Sequence, residues 1–263
     1  MTTGSDRRAL AAHLEALGLA AGDIVLVHAS LRHVAPRPAT ASTVIQALLD
    51  VLGPAGTLVV PTQTAWNSTT SRVHREAVAA LSEQEQLEYR MALPRFDPLT
   101  TPSSGMGALA EGVRTLPGAC RSTHPQTSFA AIGQQADILT AVHDLDCHLG
   151  PRSPMGALHK ADARVLLLGV GYSVCTTFHL AEYRYKLRPK RSYECRIADA
   201  PGDGWTEFED IELDDGEFGQ LGKEFEHASE QVRAGLVGNA ECRLFRVREA
   251  VEFAERWMRR FAP

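Results

Sequence analysis

His179 and Glu182 stand three residues apart in C-T-T-F-H-L-A-E, Cys175–Glu182. On a helix that spacing puts both side chains on one face, near enough to interact. A carboxylate beside an imidazole orients the ring and raises its basicity, which is what a general base requires. The same spacing also makes an ordinary surface ion pair. Position favours the chemical reading, because the pair follows R-V-L-L-L-G-V-G-Y, Arg164–Tyr172, the most continuous apolar run in the chain. Such a run reads as a central strand buried on both faces. Open α/β proteins bind ligands at the carboxyl ends of their strands.

Other groups permit other chemistry. Cys175 lies four residues before His179 and could form a thiol–imidazole pair that carries an acyl group covalently. His143, Cys147, His148 and His159 have loosely ligand-like spacing, but neither H-E-x-x-H nor a paired C-x-x-C accompanies them. A zinc hydrolase is therefore a weak reading, and no metal is expected. A non-enzymatic binding module would lack the His179–Glu182 pair.

Several loops carry binding potential. In H-A-S-L-R-H-V, His28–Val34, backbone N–H groups near the start of the next helix could hold a pyrophosphate or an extended amide chain, with Arg32 and Arg37 available for phosphates. No G-x-G-x-x-G or P-loop fingerprint is present. Ser103, Ser104, Gly105 and Gly107 in F-D-P-L-T-T-P-S-S-G-M-G-A-L-A-E would let a ligand approach the backbone closely. R-S-T-H-P-Q-T-S-F-A-A-I-G places His124 before Pro125, in extended geometry, where a structural role outweighs a catalytic one. G-P-R-S-P-M-G-A-L is a further loop of small residues.

The elements that must position these groups follow from periodicity. Helical patterns cover Arg7–Leu17, stopping at Gly18, and a segment with Ser42 as candidate N-cap that ends at Gly53. Strands are expected at Asp23–Ser30 and Thr57–Pro61, so the first 61 residues contain a strand–helix–strand unit with parallel pairing. Residues 63–102 read as a long insertion with one helix, Glu83–Met91. Helices are further expected at Ala108–Thr115, Gln134–Val142, Thr177–Leu187, Gly219–Ala234 and Val247–Phe261. T-E-F-E-D-I-E-L alternates like an antiparallel edge. The fold class is α/β: a mixed, largely parallel sheet flanked by helices, with an elaborated helical and loop substrate region, in one domain spanning 1–263.

Bulk composition excludes some partners. The 263 residues carry a net charge of −5, which disfavours nucleic acid. The five cysteines are scattered and odd in number, as expected for reduced thiols in a cytoplasmic protein. No signal-peptide core and no run of about 18 apolar residues occurs, so no membrane partner is expected.

The order and spacing of H-A-S-L, G-T-L-V-V-P-T, D-P-L-T-T-P-S-S-G-M-G-A-L-A-E, R-S-T-H-P-Q-T-S-F-A-A-I-G, S-P-M-G-A-L and V-L-L-L-G-V-G-Y-S-V-C-T-T-F-H-L-A-E-Y-R resemble the aminoglycoside 3-N-acetyltransferase family. The likeness covers residues 8–260 and is most specific in the middle third. It departs from the usual pattern at Ala39-Thr40, where a Gly-Gly pair is common, and at Ala29, where Ser or Thr is usual.

The resemblance implies transfer of the acetyl group of acetyl-CoA to the 3-amino group of the 2-deoxystreptamine ring of an aminoglycoside. Some members act on other amines in natural-product biosynthesis. His179 is then the catalytic base and Glu182 its acidic neighbour. The CoA wall comprises Ser30, Leu31, Arg32, His33, Val34, Ser103, Gly105, Met106, Gly107, Ser128 and Phe129. Because the acceptor is a polycation, Asp97, Glu182 and Glu217, with Asp214 and Asp215, are the expected substrate contacts. Loop N–H groups or the hydroxyls of Thr176 and Thr177 are candidates to stabilise the oxyanion. A homodimer stays open.

Overall fold

The computed structural model describes residues 3–34, 40–185 and 188–260, with side chains from residue 6 onward. The first helix, α1 (Thr3–Leu17), buries Leu10, Leu14 and Leu17 on one face and ends at Gly18 with φ +107°, a conformation that favours glycine. Strand β1 (Ile24–Ala29) follows, then α2 (Ala41–Leu52) and β2 (Thr57–Pro61). The N-cap of α2 is Thr40, whose hydroxyl accepts from the Thr43 N–H at 3.1 Å; the expected cap, Ser42, is already inside the helix.

The insertion contains α3 (Arg72–Val78) and α4 (Glu83–Ala92), the second capped reciprocally by Ser82 and Glu85. After it come α5 (Gly107–Arg114), β3 (Cys120–Arg121), β4 (Phe129–Gly133), α6 (Ala136–Thr140), α7 (Pro154–Lys160) and β5 (Arg164–Leu168). The single turn α8 (His179–Glu182) precedes β6 (Lys190–Arg196) and β7 (Trp205–Ile211). The chain closes with α9 (Phe218–Ala228), β8 (Arg233–Val237), β9 (Ala240–Arg246) and α10 (Val247–Arg260).

Seven strands form one mixed sheet in the order β3-β4-β2-β1-β5-β9-β8. Within this sheet, among the described residues, parallel pairing is confined to the central trio β2-β1-β5, and the outer pairs are antiparallel. The central strands are apolar on both faces, so alternate residues serve different layers. Val25 and Val27 of β1 join a core with α1, α2 and α5, whereas Ile24 and Leu26 join a core with α6 to α10. Helices therefore cover both faces. Strands β6 and β7 form a separate two-stranded antiparallel sheet.

Several expectations are corrected. The helix expected over Thr177–Leu187 is a 3₁₀ turn (Thr176–Phe178) running into α8, and Leu187 lies outside the described residues. The helix expected to reach Ala234 stops at Ala228, and Ala234 belongs to β8. T-E-F-E-D-I pairs with β6 and does not edge the main sheet. No helix among the described residues is long and apolar enough to cross a membrane.

Candidate active site

The site forms where the chain leaves β5. Gly169 has φ +67°, and a Cβ there would meet the Ser30 carbonyl oxygen at 3.0 Å, so a glycine is required for this strand end to approach the loop after β1. Two 3₁₀ turns, Tyr172–Val174 and Thr176–Phe178, then lead into α8. In such tight turns side chains at i and i+3 eclipse, so Thr176 and His179 share a face.

His179 donates its Nδ1–H to Glu182 Oε2 at 2.6 Å. Glu182 is fully buried. Its other oxygen, Oε1, accepts from Arg188 Nη2 and from the Asp214 N–H, the latter at 3.1 Å. A buried carboxylate is costly unless its lone pairs are used, and here both oxygens are engaged. The His179 ring leans on Phe218, centroid to centroid 4.7 Å. With Nδ1 committed to Glu182, Nε2 is the ring nitrogen left for chemistry.

His179 lines a cleft of about 410 Å³ together with His28, Gly105, Met106, Thr176 and Asp215. Val170 and Ser173 connect it to an adjoining groove of about 650 Å³ that includes His33, Lys223 and Arg243. The pair of hollows has room for a long extended ligand beside a second molecule. His28 is buried, and loss of hydration lowers its pKa to about 4, so its ring is neutral. Cys175 touches the cleft but is fully buried, and burial pushes its thiol up to about 12. A neutral thiol of that kind is a poor nucleophile.

The structure sorts the remaining expected residues. Gly105 and Met106 do line the cleft. Gly107 begins α5 at φ +82°, and a Cβ there would lie 3.9 Å from the Ala29 carbonyl oxygen. Ser103 is turned to Glu111, donating to Oε2 at 2.8 Å. Ser30 donates its N–H to the Leu168 carbonyl, which ties the loop to β5. Leu31 packs against the α1–α2 core, Arg32 is exposed, and His33 lines the adjoining groove with Nδ1 at 2.9 Å from the Gly169 carbonyl. Arg37 lies outside the described residues.

Three members of the expected CoA wall are corrected outright. Val34, Ser128 and Phe129 are fully buried. Val34 and Phe129 belong to the apolar cores, and the Ser128 hydroxyl donates to the Thr62 carbonyl at 2.9 Å. Two acidic assignments also move. Asp97 lines a different groove with His124 and Asp199, and Glu217 is the N-cap residue of α9, outside the cleft. Asp215 supplies the carboxylate that the cleft does contain. Thr177 is fully buried, so of the two threonines it is Thr176 that lines the cleft.

Two histidines of the weak zinc reading, His143 and His148, are used structurally beside His124. The rings of His124 and His143 lie 4.7 Å apart, and those of His124 and His148 lie 4.6 Å apart. His143 bonds Ser122 Oγ and the His148 carbonyl, while His148 bonds Asp210 and Gln126. Burial lowers His143 to about 3 and holds His124 well below the ordinary imidazole value. Asp210 also accepts from the His148 N–H and the Tyr183 hydroxyl, so the β6–β7 sheet is fastened beside Glu182's own helix turn.

His28 is a member of the cleft that periodicity did not single out. Its place depends on β1 lying beside β5, with His28 opposite Leu167, a pairing across more than a hundred residues. The only local signal was its position at the carboxyl end of a buried strand.

Comparison with known proteins places this geometry in a family. The aminoglycoside 3-N-acetyltransferase profile matches residues 26–259. The chain is 36% identical over 252 residues to the SPbeta prophage-derived aminoglycoside N(3')-acetyltransferase-like protein YokD of Bacillus subtilis (strain 168), covering 95% of this chain and 91% of that one. Its fold is similar to the solved structure of AAC-IIIb binary with CoASH, with TM-score 0.82, 31% identity, and coverage of 97% of this chain and 96% of that one. It is also similar to AAC-VIa bound to sisomicin, with TM-score 0.81, 28% identity, and 98% of each chain covered. A profile spanning most of the residues, relatives of this identity over nearly the full length and an Nδ1-anchored imidazole in a two-part cleft agree: the chain belongs to the aminoglycoside 3-N-acetyltransferase family and is an acetyltransferase.

Proposed function

We propose that this chain transfers the acetyl group of acetyl-CoA directly to the 3-amino group of the 2-deoxystreptamine ring of an aminoglycoside, with His179 as general base. The observation that carries the reading is the 2.6 Å bond from His179 Nδ1 to the buried Glu182 carboxylate at the wall of the cleft. An amine bound as ammonium has no lone pair. Nε2 takes a proton from the nitrogen, whose electron pair adds to the thioester carbonyl carbon. The C–N bond forms, charge gathers on the carbonyl oxygen, and the C–S bond then breaks to release the CoA thiolate, which takes the proton back from the imidazolium while the new amide nitrogen sheds its second proton to solvent. Glu182 holds the ring's tautomer and stabilises the imidazolium formed, as a carboxylate behind a histidine base does.

Direct transfer is favoured over an acyl-enzyme because Cys175 is buried with its thiol held neutral. Acetyl-CoA use is supported by the relative solved with CoASH, and the aminoglycoside acceptor by the relative solved with sisomicin. The loop from Ser30 to His33, with Gly105 and Met106, is the proposed surface for the acetyl-CoA chain. Asp215 is the proposed contact for an acceptor ammonium group, because it puts an anion in the cleft beside the base.

The test is thiol release from acetyl-CoA over a panel of aminoglycosides, with the acetylated nitrogen located by NMR. The expected result is 3-N-acetylation, with His179→Ala folded, still binding CoA, and slower by about two decades or more. Near-normal turnover by His179→Ala would remove the base from the reading. Thiol release with other amines but with no aminoglycoside would move the enzyme to a different acceptor within the family.

A further inference from the structure

Two imidazoles line the cleft, and they are set up differently. His179 has Glu182 behind it, whereas the hydrogen-bond partner of the His28 ring is the Thr176 hydroxyl, with Nε2 3.3 Å from Oγ1. Burial keeps His28 neutral at working pH, so its ring carries a single N–H to place on one nitrogen or the other. Thr176 precedes His179 by three residues, and the His179 N–H bonds back to the Thr176 carbonyl. The eclipsed side chains of this tight turn put the hydroxyl beside the base.

We infer that His28 is a positioning residue whose Nε2–H donates to Thr176 Oγ1, leaving the hydroxyl proton of Thr176 directed into the cleft as the donor for the thioester carbonyl oxygen. The inference rests on the acetyl transfer proposed above. As the amine adds, the carbonyl π pair moves onto oxygen, and it returns when the C–S bond breaks. A donor already aimed at that oxygen stabilises the charge without reorganising at the moment of reaction. A hydroxyl that is itself hydrogen-bonded by a neighbour is also the stronger donor. The opposite tautomer would have Nε2 accept the Thr176 proton and withdraw the donor from the cleft. The two arrangements predict opposite effects of removing His28.

The experiment is a double-mutant cycle on kcat and KM, read by thiol release from acetyl-CoA with sisomicin as acceptor. Thr176→Val is expected to lower kcat about 100-fold, the size of one lost oxyanion donor, with KM for acetyl-CoA within about twofold. Thr176→Ser should recover most of that loss. His28→Leu is expected to cost about tenfold in kcat, and the double variant should be no slower than Thr176→Val alone, since His28 acts through the hydroxyl. His28→Gln, which keeps an N–H donor, should lose less than His28→Leu and serves in its place if the leucine variant does not fold. Unchanged or faster turnover by either His28 variant, or multiplied losses in the double variant, would overturn the inference. His179→Ala is run alongside. If it retains turnover, the general-base reading fails; if it collapses while the cycle shows independent losses, only the role of His28 fails. Should sisomicin elicit no thiol release, the acceptor reading fails and the same cycle is read on acetyl-CoA hydrolysis, whose addition step uses the same donor.

Discussion

Glu182→Gln separates orientation of the proposed base, His179, from simple packing, because the two carboxylate oxygens hold different donors. Oε2 takes the Nδ1–H of His179 at 2.6 Å, and Oε1 takes Arg188 and the Asp214 N–H. A glutamine amide has one acceptor oxygen and one NH2 group. Arg188 and the Asp214 N–H cannot act as acceptors, so the amide oxygen is drawn to their side and the NH2 faces Nδ1. Two donors cannot face each other. The imidazole therefore switches tautomer: Nδ1 accepts from the amide, and the proton moves to Nε2, the nitrogen that needs a free lone pair. A positioned base is worth ~10²–10⁴ in rate, or roughly 2.7–5.5 kcal/mol of barrier, and that is the expected loss in kcat. Stability falls less, by about 1–3 kcal/mol, because the Arg188 side chain is 24% exposed and water can replace its lost partner. Steady-state thiol release gives the first quantity and thermal unfolding the second. A glutamine variant folded and within tenfold of normal kcat at every pH would refute the tautomer argument.

Other perturbations probe separate parts of the molecule. Asp215→Asn should raise KM for a cationic acceptor about two- to fivefold, leave KM for acetyl-CoA unchanged, and lose its effect in high salt, because this carboxylate is exposed. Cys175→Ala should keep turnover within about threefold, and the parent enzyme incubated with acetyl-CoA alone should show no stable acetyl adduct by mass spectrometry; an adduct on Cys175 would overturn direct transfer. Acid should destabilise the fold through His28, His124 and His143, all held neutral by burial, with His28 lowered to about 4 and His143 to about 3. Below the ordinary imidazole range near 6.5, the unfolded chain binds protons that the folded one refuses. Stability is therefore flat above that pH and falls beneath it, by up to about 1.4 kcal/mol per pH unit for each group until its folded pKa is reached. Denaturant midpoints measured from pH 8 to pH 4 check the slope, and a flat profile down to pH 5 would contradict it.

Much of the frame was legible because it rests on local patterns. Thr57–Pro61 is a strand with the expected bounds, and Glu83–Met91 and Val247–Phe261 are helices within a residue or so where described, since apolar period and caps act locally. The failures lie where distant packing decides. Phe129 was assigned to the CoA wall through the family resemblance, yet it begins β4, paired with β2, and is fully buried there. β8 and β9 were missed although Gly238-Asn239 between V and A is a turn signal, with Gly238 at φ +61°. Local helical spacing around Gly219 obscured it. In the site, His179 and Glu182 were visible because i, i+3 geometry is local. His28 meeting Thr176 and Asp214 meeting Glu182 are tertiary contacts with no signature in spacing.

The bond from the Asp214 N–H to Glu182 has a consequence for how the enzyme can change. The segment carrying Asp215, the proposed contact for an acceptor ammonium group, is hinged on the same carboxylate that bonds the His179 ring. Lengthening or reshaping that segment to admit a bulkier or differently charged amine would tug on the base as well. On the proposed mechanism acceptor range and turnover are mechanically geared to each other, and variants selected for new acceptors through this loop should carry compensating changes around Arg188 or Phe218.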